Sequence, residues 1–316
     1  MASAPKTKLG LEALLTKYQG YVAPGTYERP RTMFSIGPLS LNLAVGNYKG
    51  VPSGRIIQIV GQESSGKSTL ALDILAQHQR AFPAESVGYV DFERSFVADY
   101  AAACGVDLAR ILVVRPDTTE QGFTILEDMI QNGIRVVVVD SVAAAKPSSE
   151  NNRDYEDAMK MASSAGIITR FCNRIVPIID NADAVIVMIN QLRENFNTMS
   201  PEKTIAFGGR ALRYATGVTI SLVRTSKKEQ RIDVQATIRK NKVGAPYQVT
   251  EFQIVYGAGI DHNTDAVQLA LQRGLLTKGG AWYTYKDQKF QGEVAVAEAV
   301  GAQLRAEIVA SFEGGA

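Results

Sequence analysis

The segment Gly61-Gln62-Glu63-Ser64-Ser65-Gly66-Lys67-Ser68 has the residue types and the spacing of a phosphate-binding loop, G-x-x-x-x-G-K-[ST]. An apolar run precedes the motif and a helical pattern follows it. The alternative, a Gly/Ser-rich turn that matches the motif by chance, is therefore the weaker interpretation. Glycines let consecutive backbone N–H groups turn toward a phosphate, and the start of a helix adds a favourable dipole. The Lys67 ammonium can reach the outer phosphates and the Ser68 hydroxyl can bind Mg²⁺, so the motif predicts a nucleoside triphosphate with its metal.

Three carboxylates follow apolar runs that have the pattern of strands. Asp140 comes directly after 135–139, a usual way to place a carboxylate that supports Mg²⁺ beside the loop hydroxyl. Asp91 lies near the end of the run 87–92 and Glu93 directly follows it. Their i, i+2 spacing predicts that both point to one side, at the carboxyl edge of the sheet, where α/β folds bind ligands. We predict that Glu93 orients and deprotonates an attacking water; a solvated loop carboxylate is the alternative.

The elements that must position these groups follow from the hydrophobic runs. Near-continuous apolar runs, typical of parallel strands covered on both faces, occur at 55–60, 87–92, 111–114, 135–139 and 184–189. Helical patterns lie between them at about 67–82, 120–132 and 155–181. This alternation predicts an α/β fold with a mostly parallel, doubly wound sheet and helices on both faces. After residue 217, the runs 219–224, 233–240 and 251–256 follow one another without helices, which predicts an antiparallel extension of the sheet.

The two ends of the chain carry different patterns. Leu11, Leu14, Leu15, Tyr18 and Val22 recur at helical spacing and precede a Gly- and Pro-containing linker. This arm either packs on its own core or docks on a neighbouring subunit, and the sequence leaves both open. Beyond residue 259 a short α/β pattern predicts a small additional domain. We therefore divide the chain into an oligomerisation arm at 1–33, a core at 34–259 and a C-terminal domain at 260–316.

Composition excludes several classes of protein. Hydrophobic residues make up 46% and charged residues 21% of the 316 residues, which is typical of a soluble globular chain. Two cysteines and two histidines exclude a disulfide framework and a clustered zinc site. The apolar runs are far shorter than the ~20 residues of a membrane helix and no signal-peptide pattern is present, so we expect a cytoplasmic protein with no membrane partner. Residues 203–247 hold ten Lys or Arg against two acids, and such concentrated charge attracts anionic partners.

These motifs, in this order and at these separations, resemble the RecA family of strand-exchange recombinases. The segment from Gln62 to Thr69 has the family's form of the phosphate loop. Further similar segments are GPLSLNLA at 37–44, RPDT at 115–118, DSVAA at 140–144, INQLR at 189–193, GG at 208–209, KNKVGAP at 240–246, FQIVYG at 252–257 and GAWYTYK at 280–286. The similarity runs from about residue 35 to 290 and implies a P-loop core of RecA type with an N-terminal helical arm and a small C-terminal domain.

The resemblance implies roles for individual residues. Lys67 and Ser68 would bind the phosphates and Mg²⁺, Asp140 would support the metal and Glu93 would activate water. Tyr100 matches an aromatic residue that stacks on adenine. The implied ATP contacts are Gly61, Glu63, Ser64, Ser65, Gly66, Lys67, Ser68, Thr69, Tyr100, Asp140, Lys240, Lys242 and Tyr256.

In the same resemblance, three residues connect the nucleotide with DNA and with a second protomer. Gln191 matches a sensor that couples the γ-phosphate to the DNA loop after it, and it completes an implied catalytic set with Glu93 and Lys67. Lys240 and Lys242 match lysines that reach the ATP of the adjacent protomer; without the resemblance, a solvated strand end is the better interpretation. When lysines of one protomer bind the ATP of its neighbour, ATP binding strengthens assembly and assembly strengthens ATP binding, because the two equilibria are linked.

Two polar stretches, at 148–159 and 193–210, resemble the mobile DNA loops of the family. Neither has apolar periodicity, so we predict loops, and a long loop inside a compact core is usually functional. The residues predicted to contact DNA are Arg170, Arg174, Arg193, Gly208, Gly209, Arg210 and Arg213, with Lys203 in the same cluster. Such contacts to the DNA backbone give affinity without sequence preference and a steep salt dependence. A solvated basic face is the alternative.

The sequence departs from the family pattern in places. The segment 151–157 shares almost no residues with the family's first loop, so we assign no contact there. Val97 occupies a position at which members of the family commonly have an acidic residue near the adenine. Arg210 occupies a position at which they usually have a smaller polar residue. The chain ends without the acidic tail of many bacterial members, from which we expect a streamlined member such as a phage-encoded one.

We expect an ATP- and Mg²⁺-dependent DNA recombinase that forms a helical filament on single-stranded DNA and exchanges it with a homologous duplex. ATP hydrolysis would depend on DNA. One alternative is a ring-forming helicase on the same core, against which the Trp282 segment and the N-terminal arm argue. A second alternative is a DNA-coating protein that is gated by ATP and exchanges nothing.

Overall fold

The computed structural model describes residues 11–18, 31–145, 160–194, 204–206 and 209–314. The chain divides into two compact units, Met1–Thr32 and Met33–Ala316. The first unit contains helix α1 (Leu11–Lys17), which confirms the helical spacing at this position. All other elements belong to the second unit.

Strands and helices alternate along most of the second unit. The strands are β1 (Met33–Phe34), β2 (Val51–Pro52), β3 (Arg55–Gly61), β4 (Val87–Asp91), β5 (Ile111–Val114), β6 (Val136–Asp140), β7 (Val185–Glu194), β8 (Thr204–Ala206), β9 (Thr216–Lys227), β10 (Arg231–Asn241), β11 (Val249–Val255), β12 (Gly259–Ile260), β13 (Thr277–Gly279), β14 (Trp282–Tyr285) and β15 (Gln288–Gln291). The helices are α2 (Leu39–Val45), α3 (Lys67–Ala81), α4 (Ala98–Ala103), α5 (Thr119–Gln131), α6 (Lys160–Asn181), α7 (Gly209–Ala215), α8 (His262–Gln272) and α9 (Glu293–Glu313).

A large mixed sheet organises this unit. Its strands follow the order β12-β11-β10-β9-β3-β7-β6-β4-β5, and β8 pairs with the end of β7. The strands from β9 through β3, β7, β6 and β4 to β5 pair in parallel, whereas β10, β11 and β12 extend the sheet in antiparallel fashion. Because β3, β7, β6 and β4 are neighbours, their carboxyl ends meet at one edge of the sheet.

Both faces of the sheet are buried, as the continuous apolar runs require. Ile57 and Ile59 of β3 point to the face covered by α3, where they join the same cluster as Leu70. Ile56, one residue away, joins the opposite cluster with residues of α5 and α6 such as Leu126. Successive side chains of a strand point to opposite faces, so β3 is anchored on both sides and holds the following loop in place.

Capping residues fix where helices begin. The Thr118 side chain accepts a hydrogen bond of 3.2 Å from the backbone N–H of Gln121, at the start of α5. The Asp261 side chain does the same for Thr264 at the start of α8, over 2.9 Å. Each cap satisfies an N–H that has no partner inside its helix.

The chain ends in a small α/β region. Strands β13, β14 and β15 form a separate three-stranded antiparallel sheet, followed by the long helix α9. Helices α8 and α9 and strand β14 share a third apolar cluster, to which Leu39 of α2 also contributes. The boundary that we predict at 259/260 stays a prediction. Among the described residues, none of the helices combines the length and the apolar character needed to cross a bilayer.

The predicted fold class is confirmed, including the mostly parallel sheet, the helices on both faces and the antiparallel extension. The sequence patterns missed α2 and α4, which are short. The prediction of a continuous loop over 193–210 is wrong at both ends. Strand β7 continues to Glu194, β8 pairs with it in antiparallel register, and α7 begins at Gly209. The pairing of β7 with β8 gives the backbone N–H and C=O groups at these positions partners that a bare loop would lack.

Candidate active site

The phosphate loop connects β3 with α3 and has the backbone that its glycines permit. Ser64 and Gly66 have positive φ angles of 56° and 91°, and α3 begins directly after Gly66. A Cβ atom at Gly66 would overlap Cδ1 of Ile254, and one at Gly61 would lie 2.6 Å from the carbonyl oxygen of Leu222. The loop is therefore packed closely against β9 and β11, and only glycine fits at these two positions.

Lys67 begins α3 and lies against the loop. Its ammonium donates a hydrogen bond of 2.6 Å to the carbonyl oxygen of Gln62. Burial lowers the pKa of this amine, while the nearby carboxylates of Asp140, Glu93 and Glu63 act in the opposite direction. The first backbone N–H groups of a helix have no partner inside it, so a cation at this position is suited to bind a phosphate together with them.

Asp140 ends β6 and is the centre of a buried hydrogen-bond network. Its Oδ2 accepts hydrogen bonds from the Ser68 hydroxyl, over 3.1 Å, and from the Tyr89 hydroxyl, over 2.6 Å. Burial raises the pKa of the Asp140 carboxyl, and these two hydrogen bonds oppose that shift. Burial also raises the pKa of Tyr89, so its hydroxyl stays a donor. The predicted pairing of Asp140 with Ser68 is thus present in the structure, whereas Tyr89 could not be anticipated from the motif.

Glu93 lies just beyond the end of β4, where the chain turns. The backbone N–H groups of Phe92 and Glu93 both donate to the carbonyl oxygen of Asp140, over 2.7 and 3.3 Å. The Ser141 hydroxyl donates to Oε1 of Glu93, a residue that is exposed. The carboxylate is therefore oriented from the neighbouring strand end while it remains accessible to water.

The prediction that Asp91 faces the ligand edge together with Glu93 is wrong. Asp91 is buried, and its two oxygens each accept a backbone hydrogen bond of 3.0 Å, one from Ser95 and one from Phe96. Arg115 lies 3.5 Å from the same carboxylate. Because β4 ends at Asp91, the alternation of a strand no longer applies at Glu93, and Asp91 instead stabilises the turn.

Tyr100, which is expected beside the adenine, lies on α4, and Tyr256, which is expected to contact ATP, follows β11. The Tyr100 hydroxyl is 2.6 Å from the hydroxyl of Thr69 on α3, and burial raises the pKa of Tyr100. Tyr256 is 48% exposed and Val97 is 59% exposed. Adenine stacking stays a prediction for Tyr100, and contact with ATP stays a prediction for Tyr256.

Gln191 lies on β7, directly opposite Gly61 of β3 in the parallel register. The residue is half-buried and lies three positions before the end of the strand. Its place beside the phosphate loop comes from the pairing of β3 with β7, which no local motif encodes.

Lys240 and Lys242 lie at the end of β10 and contact the end of α7. The Lys240 ammonium donates to the carbonyl oxygen of Arg213, and Lys242 donates over 2.7 Å to that of Tyr214. Burial, with the neighbouring charges of Lys242 and Arg213, lowers the pKa of Lys240 to about 8. Lys240 is half-buried and Lys242 is exposed, so the structure does not decide between a solvated strand end and the role in a neighbour's ATP site, which stays a prediction.

The predicted DNA contacts are spread over α6 and α7. Arg170 and Arg174 are exposed on α6, and Arg174 forms an ion pair of 2.6 Å with Glu127 of α5. Gly209, with a φ of 66°, and Arg210 begin α7 and are exposed. Arg213 is exposed on the same helix. The loop 148–159, Lys203, Gly208 and the side chain of Arg193 lie outside the described residues.

The residues present fit a nucleotide with Mg²⁺. The Ser65 hydroxyl of the loop is buried and makes no hydrogen bond to a described residue, and the hydroxyl of Ser68 lies beside the Asp140 carboxylate. In the described part of the chain, no cluster of three His, Cys, Asp or Glu could hold a metal by itself. Ser68 and Asp140 would share a magnesium ion with phosphate and water oxygens, which are the ligands that this ion prefers.

Comparison with known proteins agrees with this arrangement. The family model for the RecA N-terminal domain matches residues 25–261. The chain is 36% identical over 300 residues to Protein RecA of Pseudomonas putida, an alignment that covers 90% of this chain and 83% of that protein. It is 33% identical over 285 residues to Protein RecA of Ureaplasma parvum serovar 3, with 88% and 84% of the two chains covered. The phosphate loop, the acids at the ends of neighbouring strands and these matches over most of the chain show that this protein belongs to the RecA family of recombinases.

Proposed function

We propose that this protein is a DNA-dependent ATPase that assembles on single-stranded DNA and pairs it with a homologous duplex. One relationship carries the proposal: β3, which ends in the phosphate loop, pairs with β7, which places Gln191 opposite Gly61 and continues toward the predicted DNA loop. A γ-phosphate in the loop would lie beside the strand that leads to DNA. Its presence or loss can therefore change the state of the DNA-binding segment.

For hydrolysis, the proposed base is Glu93. Its carboxylate would accept the proton of an attacking water, while the hydrogen bond from Ser141 keeps it oriented. Lys67 would hold the phosphates, and Ser68 with Asp140 would hold the magnesium ion. When bound, this ion neutralises negative charge on the phosphates.

For assembly, we propose that Lys240 and Lys242 contact the ATP of an adjacent protomer. Both ammonium groups are at present satisfied by carbonyl oxygens at the end of α7, the helix that follows the predicted second DNA loop. A triphosphate offers charge-assisted hydrogen bonds, which are stronger than bonds to neutral carbonyls. Engagement of a neighbour's ATP would therefore also affect α7, and so connect the protein interface with DNA binding.

The remaining parts of the proposal concern DNA and the ends of the chain. Arg170, Arg210 and Arg213 are exposed cations that would contact the DNA backbone. The N-terminal arm would dock on a neighbouring protomer, and the region from residue 260 would form a separate small domain. We place the protein in the cytoplasm, where DNA and ATP meet in a bacterial cell.

A joint-molecule assay tests the proposed function. The protein, Mg²⁺, ATP and a single-stranded oligonucleotide are mixed with either a homologous or a heterologous supercoiled duplex. We expect joint molecules with the homologous duplex and ATP only. Equal yields from both duplexes would defeat the recombinase proposal, and yields at background from both would favour a DNA-coating protein. Closed hexamers in electron micrographs of the same mixture would favour a ring-forming motor.

A further inference from the structure

A polar groove lies away from the nucleotide site, between the antiparallel edge of the sheet and helices α2 and α8. Its volume is about 880 Å³, within the range of sites that hold small molecules. Strand β11 pairs with β10 along its length but with β12 only at Ile254 and Val255. Residues 249–253 are therefore a sheet edge that faces the groove without a partner strand among the described residues, and the N–H of Asp261 donates to the carbonyl oxygen of Gln253 at its end.

Four buried side-chain oxygens of the groove make no hydrogen bond to a described residue. They are Oγ of Ser40, Oδ1 of Asp265, Oδ1 of Asp233 and Oε1 of Gln253. Asp265 is only 3% exposed, and its other oxygen accepts the backbone N–H of Ser40 at the start of α2, over 3.2 Å. Asp233 and Gln253 are direct partners across β10 and β11, and the other oxygen of Asp233 lies 2.9 Å from the Lys228 ammonium. An acceptor that is buried without a donor destabilises the folded chain, so a ligand that supplies N–H groups here would relieve that cost.

The charges of the groove favour a cation. The described lining residues include three acids, Asp233, Glu251 and Asp265, and one base, Arg273. The Arg273 guanidinium lies over the ring of Phe312, 4.4 Å from its centre. Burial raises the pKa of the Asp265 carboxyl, and its hydrogen bonds with α2 and the cationic groups around it oppose this only in part. An ammonium group beside Asp265 would add to the cationic groups around this carboxyl, whereas an anion would be repelled.

We propose that this groove binds a linear polyamine, a flexible organic cation with several N–H donors. Five residues of extended edge span roughly 17 Å, which accommodates an extended chain with ammonium groups at intervals. The acceptors lie on two sides of the groove, Asp265 on α8 and the Asp233–Gln253 pair on the sheet. A bound polyamine would therefore connect the sheet with α8 and stabilise the folded chain increasingly as its concentration rises above its Kd.

The test uses the full chain without ATP or DNA, so its result is independent of the proposed recombinase activity. Spermidine is titrated in a calorimeter at constant ionic strength, with argininamide and MgCl₂ as parallel arms. We expect saturable spermidine binding and a higher unfolding temperature, with argininamide at least tenfold weaker and Mg²⁺ without effect. If argininamide binds more tightly than spermidine, the site is built for a guanidinium side chain and the polyamine proposal is overturned.

Variants locate the binding to the groove. Asp233→Asn and Asp265→Asn should each weaken spermidine binding about tenfold, a loss expected for one charge-assisted contact. Asp265 also caps α2, so Asp233→Asn is the decisive variant if Asp265→Asn unfolds. Asp287→Asn, at an exposed acid outside the groove, is the matched control and should bind as the unchanged chain does. No saturable binding, or an equal loss in Asp287→Asn and Asp233→Asn, would overturn the proposal.

Discussion

The ammonium group of Lys242 donates a hydrogen bond of 2.7 Å to the carbonyl oxygen of Tyr214, the next-to-last residue of α7. Lys240 contacts the carbonyl oxygen of Arg213 in the same way. The last carbonyl groups of a helix have no partner inside it, and the helix dipole favours a cation at this end. The two lysines therefore stabilise α7 in the single chain. In the proposed function they would bind the phosphates of a neighbouring protomer's ATP instead.

Lys242→Gln separates these two roles. The amide can still donate to the Tyr214 carbonyl but has no charge for a phosphate. We expect ATP-dependent assembly on single-stranded DNA to weaken at least tenfold, as for the loss of a charge-assisted contact. ATP binding by the monomer should stay unchanged. Assembly is measured by fluorescence anisotropy of a labelled oligonucleotide, with Lys278→Gln in the C-terminal sheet as the control. A Gln variant that assembles normally would refute the role in a neighbour's site.

Glu93→Gln should remove the proton acceptor while it keeps the shape of the side chain. We expect the ATP turnover number to fall by about 10²–10⁴, the usual contribution of a general base. Binding of ATP and DNA should persist, so assemblies should become long-lived. Turnover is measured by phosphate release, with Glu298→Gln on the exposed face of α9 as the control. Turnover at the unchanged rate would show that another group activates the water.

Ser141→Ala tests whether the orientation of Glu93 matters. Its hydroxyl donates to the Glu93 carboxylate, so its loss should lower turnover by roughly tenfold through a misplaced base. In the Glu93→Gln background the same change should have almost no further effect, because the base that Ser141 orients is already gone. Independent, multiplicative losses in the double variant would contradict this coupling.

Tyr89→Phe removes the buried hydrogen bond of 2.6 Å to Asp140. We expect a loss of about 1–2 kcal/mol in unfolding free energy. We also expect an increase of about tenfold in the Mg²⁺ concentration for half-maximal ATPase, because the carboxylate loses an orienting partner. Tyr285→Phe removes a bond of the same length to Glu307 and is the matched control. The Tyr285→Phe change should lower the free energy of unfolding and leave the Mg²⁺ dependence of the ATPase unchanged. An equal change in Mg²⁺ dependence in both variants would exclude a specific role for Tyr89.

The lowered pKa of Lys240, about 8, predicts a pH dependence of assembly. The lysine loses its charge as the pH rises through its pKa, and a bound phosphate moves that pKa upward. ATP-dependent assembly should therefore weaken between about pH 8 and pH 10. Lys240→Arg keeps its charge throughout this range and should flatten the profile. Lys278→Arg is the control, and an unchanged profile in Lys240→Arg would assign the pH dependence to another group.

Local patterns were sufficient for the elements whose residues are contiguous. The phosphate loop could be predicted because a strand, a glycine-containing turn and a helix follow one another within about a dozen residues. The prediction for Asp91 failed because the i, i+2 argument needs a strand, and β4 ends at Asp91. Nothing in the sequence showed where the strand pairing would stop.

The sequence by itself determined the strand–loop–helix of the phosphate site, the acids that follow apolar strands and the α/β order of the elements. Beyond the predicted pairing of Ser68 with Asp140, only the tertiary structure decided which groups touch: Tyr89 on Asp140, Ser141 on Glu93, Gln191 opposite Gly61. It also brought Asp233, Gln253 and Asp265 to one groove. The physical reason is that local conformation depends on neighbours in the chain, whereas these contacts join distant segments through the order and register of the strands.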